Sequence, residues 1–369
     1  MSTDAILIHG APAALPDLFH VIPAAIGDPF LYLEAAGRRA ATVGTLDAAP
    51  VAALGIEVLD PFTLGLDDLI EAGATPLQRQ AGVAAAACRA LRIEEALVPA
   101  EFPVGLADLL RRDGIALIVS PETFAGRRRA KTPAQVEGVR RAQKAADAAM
   151  AVAAGLIREL RAGLTSEAVR EAMAEATDRL GAELPADVIV AGGPAGAEGH
   201  DAGSGPLRAG EPVVVDIWPR DRASRCWADM TRTFVAGGGE PDAELAEYWR
   251  LCRESLDRVH PMVRAGADAQ ALFRASCEPF IAAGKPTQLT KPPGEPLRDG
   301  YFHSLGHGVG LEVHERPNLG RARDALVAGD VIAVEPGCYR RGYGGCRLED
   351  LVLVTETGGE ILTDFPYDL

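Results

Sequence analysis

The chain has 369 residues, too many for one hydrophobic core of ordinary size, so two domains are expected. Its formal net charge of −15 is the wrong sign for a nucleic-acid-binding surface, and no run approaches the roughly 18 uncharged apolar residues of a membrane span. The six cysteines, Cys88, Cys226, Cys252, Cys277, Cys338 and Cys346, form no Cys-x-x-Cys pair, and the N-terminus lacks a basic region ahead of its apolar run; both point to reduced thiols in a cytoplasmic protein.

Residues 1–130 read as a small α/β domain. Short apolar runs, Phe30-Leu31-Tyr32-Leu33 and residues 51–59, alternate with helical patterns, the longest at 81–92, and residues 115–119 read as a buried strand. His9 and His20 are isolated and read as loop or surface histidines. The basic run Arg127-Arg128-Arg129-Ala130-Lys131 marks the boundary and reads as a solvated linker rather than a phosphate site. Residues 131–369 form the second domain. Thr132 can cap a helix, Pro133 suits its first position and Gln135 can close a capping box, so a long amphipathic helix is predicted to about Leu160. A second helix starts near Ser166 and ends near Leu180. Strands follow at 187–190, 213–218 and 230–235, the first two separated by a Gly-rich stretch at 192–205. Two more helices are predicted at 243–265 and 268–283, and the terminal third reads as strands.

Five residues in this domain suit one metal site: Asp216, Asp229, His307, Glu335 and Glu349. Asp216 follows Val213-Val214-Val215, and Glu335 follows Val331-Ile332-Ala333-Val334, so both are expected to be partly buried. Burying four carboxylates without cations costs about several kcal/mol each, and this ligand set suits a pair of divalent first-row ions. Three of the seven histidines, His303, His307 and His314, lie within twelve residues, and His200 precedes Asp216 by sixteen. Histidines gathered on carboxylates favour proton transfer and oxyanion contacts. Gly192-Gly193-Pro194-Ala195-Gly196 lacks the Lys-Ser/Thr of a phosphate loop, and no Gly-x-Ser-x-Gly elbow is present.

Residues 132–369 resemble the pita-bread metallopeptidases, the family of methionine aminopeptidase, Xaa-Pro aminopeptidase, prolidase and creatinase. The stretches that carry the resemblance are Val213-Val214-Val215-Asp216, Asp229-Met230-Thr231-Arg232-Thr233, His303-Ser304-Leu305-Gly306-His307-Gly308-Val309-Gly310, His314-Glu315-Arg316-Pro317, Val334-Glu335-Pro336-Gly337 and Gly345-Cys346-Arg347-Leu348-Glu349-Asp350. The first domain resembles, by size, position and Asp28-Pro29-Phe30-Leu31-Tyr32, the creatinase-type domain of the proline-directed members. The resemblance implies an α/β (α+β) chain whose pita-bread catalytic domain follows this smaller domain. It implies two divalent ions, with Mn²⁺ the first choice and Co²⁺, Zn²⁺ or Fe²⁺ the alternatives. Asp216 would hold one ion, Asp229 and Glu349 would bridge both, and His307 and Glu335 would hold the other. A bridging hydroxide would attack the scissile carbonyl, with Glu335 as proton shuttle. His200, His303 and His314 would contact substrate, and Arg347 matches an arginine of the proline-directed branch. Short proline-containing peptides are the implied substrates and a homodimer the implied assembly, with no nucleic-acid or membrane partner. A creatinase-like hydrolase of another small molecule, or a non-catalytic binding module on the same fold, are the alternatives.

One departure stands out. Asp216 and Asp229 are thirteen residues apart, where most members of the family have eleven. A two-residue extension preserves strand parity, so both acids are expected on one face, while Trp218 and the turn at 219–225 are expected to reshape the pocket.

Overall fold

A computed structural model describes residues 5–368. The chain divides into two compact units, Met1–Arg128 and Arg129–Leu369.

The first unit is an α/β/α sandwich. Its strands are β1 (Ile6–Gly10), β2 (Phe30–Ala35), β3 (Arg38–Ala41), β4 (Glu57–Val58), β5 (Glu95–Val98) and β6 (Ala116–Val119), in the sheet order β4-β3-β2-β1-β5-β6. Its helices are α1 (Pro16–Val21), α2 (Ala48–Ala52), α3 (Leu66–Glu71), α4 (Pro76–Ala90), α5 (Val104–Arg112) and α6 (Pro121–Arg129). The period-two rule divides the core. Leu7, Leu31 and Leu33 pack with α4 and α5, while Ile6, Ile8, Phe30 and Tyr32 pack with Leu18 and Ile22 at α1 and Val51 of α2.

Four expectations for this unit are corrected. Residues 115–119 are not a buried strand: β6 lies at the sheet edge, where only one face is covered, and Ile118 and Val119 are exposed. Residues 51–59 are not one apolar strand. Pro50 falls in the first turn of α2, where its missing N–H costs nothing, and only Glu57–Val58 pair in the sheet. His9 is a strand residue of β1, its ring 6.4 Å edge-on from Phe102, and His20 lies in α1. The basic run is not a solvated linker but the end of α6 and the residues after it. Arg127 donates to Glu34 at 2.8 Å, and Arg128 pairs with Asp17 at 2.9 Å. Arg129, the first residue of the second unit, donates within that unit to both Asp330 oxygens, to Asp324 and to the Ala325 carbonyl. Lys131 and Glu315 form an ion pair at 2.7 Å with side chains only 2% and 3% exposed. The acids that neutralise these cations are distant in sequence, so a run of like charge looked solvated when read alone.

The second unit opens with α7 (Pro133–Glu159). Thr132 and Gln135 make the reciprocal capping box, and Leu160 ends the helix in the left-handed region. Helix α8 (Ser166–Asp178), capped by Thr165, packs against it. Next come β7 (Ala182–Glu183), β8 (Ile189–Gly192), β9 (Pro212–Ile217), β10 (Arg220–Asp221) and β11 (Met230–Val235). A second helix pair follows, α9 (Ala243–Val259) and α10 (Ala269–Ala282). Helix α9 stops short of the predicted 265 because His260-Pro261-Met262 tightens into a 3-10 turn. The last strands are β12 (His307–Gly308), β13 (Glu315–Asn318), β14 (Val331–Val334), β15 (Gly337–Arg340), β16 (Gly344–Arg347), β17 (Asp350–Val354) and β18 (Gly359–Ile361).

These strands form a three-stranded sheet, β11-β9-β8, a five-stranded sheet, β13-β12-β14-β17-β18, a β15/β16 hairpin and a short β10/β7 pair. Each helix pair covers its own apolar layer. Val139, Ala146 and Met150 of α7 meet Val213, Val215, Met230, Val331 and Ala333. Leu251 and Leu256 of α9 with Phe273 and Phe280 of α10 meet Ile332, Val334, Val352 and Val354. Alternate residues of β14 therefore serve the two layers. That strand then delivers Glu335.

Candidate metal centre

Strand pairing brings the five predicted ligands together. In the β9/β11 register Thr231 faces Asp216, so Asp229, two residues earlier, emerges on the same face as Asp216. Val213, Val215 and Ile217 fill the opposite face of β9, toward α7 and α8. Val334 faces Asp350 in the β14/β17 pair, which sets Glu335 and Glu349 beside one another just beyond the paired residues. The amide of Glu349 donates to the Thr231 carbonyl at 3.0 Å, stitching the two sheets together at this point.

His307 sits between two close backbone approaches. A Cβ on Gly306 would lie 1.9 Å from the Ala333 carbonyl oxygen, and one on Gly308 would lie 2.2 Å from that of Arg316. Gly306 also has φ 155°, so glycine is required there on both counts.

Candidate ligand atoms of Asp229, His307 and Glu349, all buried, lie within 4.8 Å of one another. His307 Nε2 is 3.7 Å from Asp229 Oδ2 and 3.7 Å from Glu335 Oε1. His307 Nδ1 is 3.1 Å from the Gly308 carbonyl, which can only accept, so the neutral ring carries its proton on Nδ1 and turns the Nε2 lone pair toward the acids. Burial, aided by His314, lowers its pKa to about 4 and keeps it neutral at pH 7.

The acids are held against their preference. Burial, then Glu349, Asp216 and Glu335, push the Asp229 carboxyl well above its ordinary value. Burial, then Asp216 and Glu335, do the same to Glu349. Burial raises Glu335 to about 8, against the opposing pull of Arg347. The one guanidinium in the cluster, Arg347, is only 4% exposed. It donates to Asp216 Oδ2 at 2.6 Å, to the Tyr339 hydroxyl at 2.9 Å and to Thr231 Oγ1 at 3.1 Å. The other oxygen of Asp216, Oδ1, is buried and has no hydrogen-bond partner among the described residues. Four carboxylates, one arginine, an unpartnered buried oxygen and an imidazole lone pair aimed inward fit divalent cations, which supply the missing positive charge.

The predicted histidines are placed differently from one another. His303 Nδ1 is 2.8 Å from the Ser304 carbonyl, so its Nε2 accepts from the Tyr339 hydroxyl at 3.0 Å. Both nitrogens are thus engaged, and burial lowers its pKa to about 3. It ends a chain of hydrogen bonds from Arg347 through Tyr339. His314 is exposed, with its ring centroid 4.1 Å from that of His307. His200 is also exposed, and its charge would lower the pKa of both His303 and His314.

Trp218 and the lengthened turn meet the helices. Trp218 packs on the layer beneath α7 and α8. Asp221 in the turn accepts from Arg141 of α7 at 3.0 and 2.8 Å, and Arg222 donates to Asp178 of α8 at 2.6 Å. Gly138 of α7 leaves room for Ser224, whose Oγ would lie 2.0 Å from a Cβ there. The extra residues are thus spent on helix contacts. Trp227, not Trp218, reaches the His314 segment, its Nε1 donating to the Leu311 carbonyl at 3.2 Å.

Three site residues were not singled out from the sequence. Thr231 Oγ1 donates to Glu349 Oε2 at 2.7 Å, Thr233 Oγ1 donates to the Arg347 carbonyl at 3.0 Å, and Tyr339 links Arg347 to His303. Alternation from Asp229 marks both threonines as residues of the same face. Tyr339 carries no comparable signal.

A buried acid cluster with an inward-facing imidazole, built where two antiparallel sheets meet between two helix pairs, defines a metallohydrolase. Residues 137–356 match the model of metallopeptidase family M24, and the chain belongs to that family. It is 30% identical over 341 residues to the probable dipeptidase PepE of Mycobacterium tuberculosis, covering 92% of this chain and 84% of that one. It is 33% identical over 236 residues to the Xaa-Pro dipeptidase of Pyrococcus furiosus, covering 63% of this chain and 62% of that one. The solved Xaa-Pro dipeptidase from Bacillus anthracis has the same fold, with a TM-score of 0.80 at 23% identity over 99% of this chain and 94% of that one. The catalytic unit therefore has the pita-bread fold. No helix among the described residues is long and apolar enough to cross a membrane.

Proposed function

We propose that this protein is a dinuclear metal-dependent peptidase that cleaves the Xaa-Pro bond of short peptides, with the Xaa-Pro dipeptide as preferred substrate. The observation that carries the reading is the buried trio Asp229, His307 and Glu349, flanked by the partly buried Asp216 and Glu335, with the His307 Nε2 lone pair turned toward the acids and Asp216 Oδ1 without a hydrogen-bond partner among the described residues. The preference for a dipeptide draws on the relatives named dipeptidase.

Asp229 and Glu349 are assigned as the two bridging ligands, Asp216 as the further ligand of one ion, and His307 and Glu335 as those of the other. Two divalent ions, Mn²⁺ in the first instance, with Co²⁺, Zn²⁺ and Fe²⁺ as alternatives, supply Lewis acidity and an activated water when bound. Glu335 moves the proton from the nucleophile to the departing proline nitrogen. Arg347 fixes Asp216 through a buried charge-assisted hydrogen bond and holds Tyr339, which in turn holds His303. His314 and His200, both exposed, face the substrate. We assign residues 1–130 as a creatinase-type domain of a cytoplasmic homodimer. The edge strand β6 supports a subunit contact in that domain, with Ile118 and Val119 44% and 53% exposed.

The test is hydrolysis of an Xaa-Pro dipeptide beside an Xaa-Pro-Yaa tripeptide, with Mn²⁺ and after chelation. Chelator-sensitive cleavage that favours the dipeptide is expected. Cleavage of neither by protein holding two ions would refute the peptidase assignment and favour a hydrolase of another small molecule.

A further inference from the structure

The segment Asp229-Met230-Thr231-Arg232-Thr233 supplies a proposed ligand and two site-facing threonines, but its arginine points the other way. Arg232 alternates with Thr231 and Thr233, so it lies on the face of β11 opposite the acids, and it is 1% exposed. Five acceptors surround its guanidinium. Nη1 donates to the Glu349 carbonyl at 2.6 Å and to the Thr231 carbonyl at 3.0 Å. Nη2 donates to Asp350 Oδ1 at 3.0 Å and to the Phe365 carbonyl at 2.9 Å. Nε donates to the Pro366 carbonyl at 3.0 Å. The guanidinium also stacks 4.4 Å from the Tyr367 ring centroid, and the Tyr367 hydroxyl donates to Asp350 Oδ2 at 2.5 Å.

Glu349 is consequently gripped at three points. Its amide donates to Thr231, its carboxylate accepts from Thr231 Oγ1, and its carbonyl accepts from Arg232. Arg232 also ties this peptide to residues 362–368. That segment is anchored again where Asp147 accepts from the Asp364 amide at 3.3 Å and where Trp249 Nε1 donates to the Tyr367 carbonyl at 2.7 Å.

We propose that Arg232 is a positioning residue for the divalent-cation site, fixing the Glu349 peptide against residues 362–368 so that both ions bind tightly. The proposal rests on the metal-centre reading above. A guanidinium can satisfy five planar acceptors at once. An ammonium has three donors, so Arg232→Lys leaves at least two acceptors unmet and lets the Glu349 peptide shift.

The test is calorimetric titration of chelated, folded full-length protein with Mn²⁺, together with the electron paramagnetic resonance spectrum of the loaded sample. Wild type should bind two ions and give a spin-coupled dinuclear spectrum. Arg232→Lys, shown to be folded by circular dichroism, should bind at least one ion about tenfold more weakly and show the six-line signal of isolated Mn²⁺. Affinities within twofold of wild type, with a coupled spectrum, would overturn the proposal and leave Arg232 a role in folding alone. If Arg232→Lys does not fold, Tyr367→Phe decides. It removes the hydroxyl that braces Asp350 and meets Arg253 while keeping the ring that stacks on Arg232, and a threefold or greater loss of affinity supports the proposal while an unchanged titration overturns it. Failure of wild type to bind Mn²⁺ would refute the metal-centre reading itself, an outcome distinct from unchanged affinity in the variant.

Discussion

Arg347→Met tests the electrostatics of the site most directly. The substitution keeps a long apolar stem and deletes the only guanidinium among four carboxylates. Asp216 loses a 2.6 Å charge-assisted hydrogen bond, while Tyr339 and Thr231 lose partners at 2.9 and 3.1 Å. Removing one partner of a buried ion pair costs about 3–5 kcal/mol. With two cations bound, Asp216 keeps a positive neighbour, and the cost falls toward that of the two neutral hydrogen bonds, about 1–3 kcal/mol. The substitution should therefore destabilise the chelated protein about 2 kcal/mol more than the Mn²⁺-loaded one. Urea unfolding followed by tryptophan fluorescence suits the measurement, because Trp218, Trp227 and Trp249 all lie in the second unit and the first is silent. Equal destabilisation with and without Mn²⁺ would refute the idea that Arg347 and the cations compensate the same acids. Loss of turnover with unchanged stability, the simplest expectation for a residue that only touches substrate, is at odds with a side chain this buried.

Two further outcomes can be checked independently. Burial raises the Asp147 carboxyl from 3.8 to about 6, so its contribution to stability is present below pH 3.8 and lost as pH rises through about 6. Asp147→Asn gives up one of the two hydrogen bonds that Asp147 accepts, from Gln143 and the Asp364 amide, at every pH, so the pH-dependent part is the test: the variant should fare about 1.5 kcal/mol better, relative to wild type, at pH 7.5 than at pH 5; a difference that does not change with pH would contradict the burial argument. Lys131→Met, which breaks the ion pair with Glu315 beside His314, should cost about 3–5 kcal/mol, with much of the loss recovered by adding Glu315→Leu. A loss below about 1 kcal/mol in urea melts would mean the pair behaves like a surface contact.

The catalytic unit was more legible in the sequence than the smaller one. Helix α7 was readable end to end because its cap, Thr132 with Gln135, is local chemistry, and β9 and β11 were readable because Asp216 and Asp229 bracket a reversal of the chain. Parity across the lengthened turn placed both acids on one face, since a period of two survives the insertion of two. What the turn touches was not readable, because Arg141, Asp178 and Gly138 are fixed only by the packing of α7 and α8. The same limit hid the partners of Arg127, Arg128 and Arg129. It also hid the role of Tyr339, whose hydroxyl matters only because the β15/β16 hairpin folds Arg347 back against it. His303 matched a family position, yet the sequence carried no sign that both of its nitrogens are engaged.

The two glycines beside His307 make this stretch intolerant of change for two separate reasons. Any side chain at 306 or 308 would collide with backbone of the neighbouring chain segments, and the Ala333 carbonyl it would displace at 306 belongs to the strand that leads into Glu335. Replacement of either glycine would thus lower the amount of folded protein in a cell, whatever the diet of peptides on offer. Replacement of His307 leaves those close approaches intact and is visible only where peptide turnover limits growth. A survey of variants scored separately for abundance and for growth would find the three adjacent positions equally intolerant by growth and sharply divided by abundance.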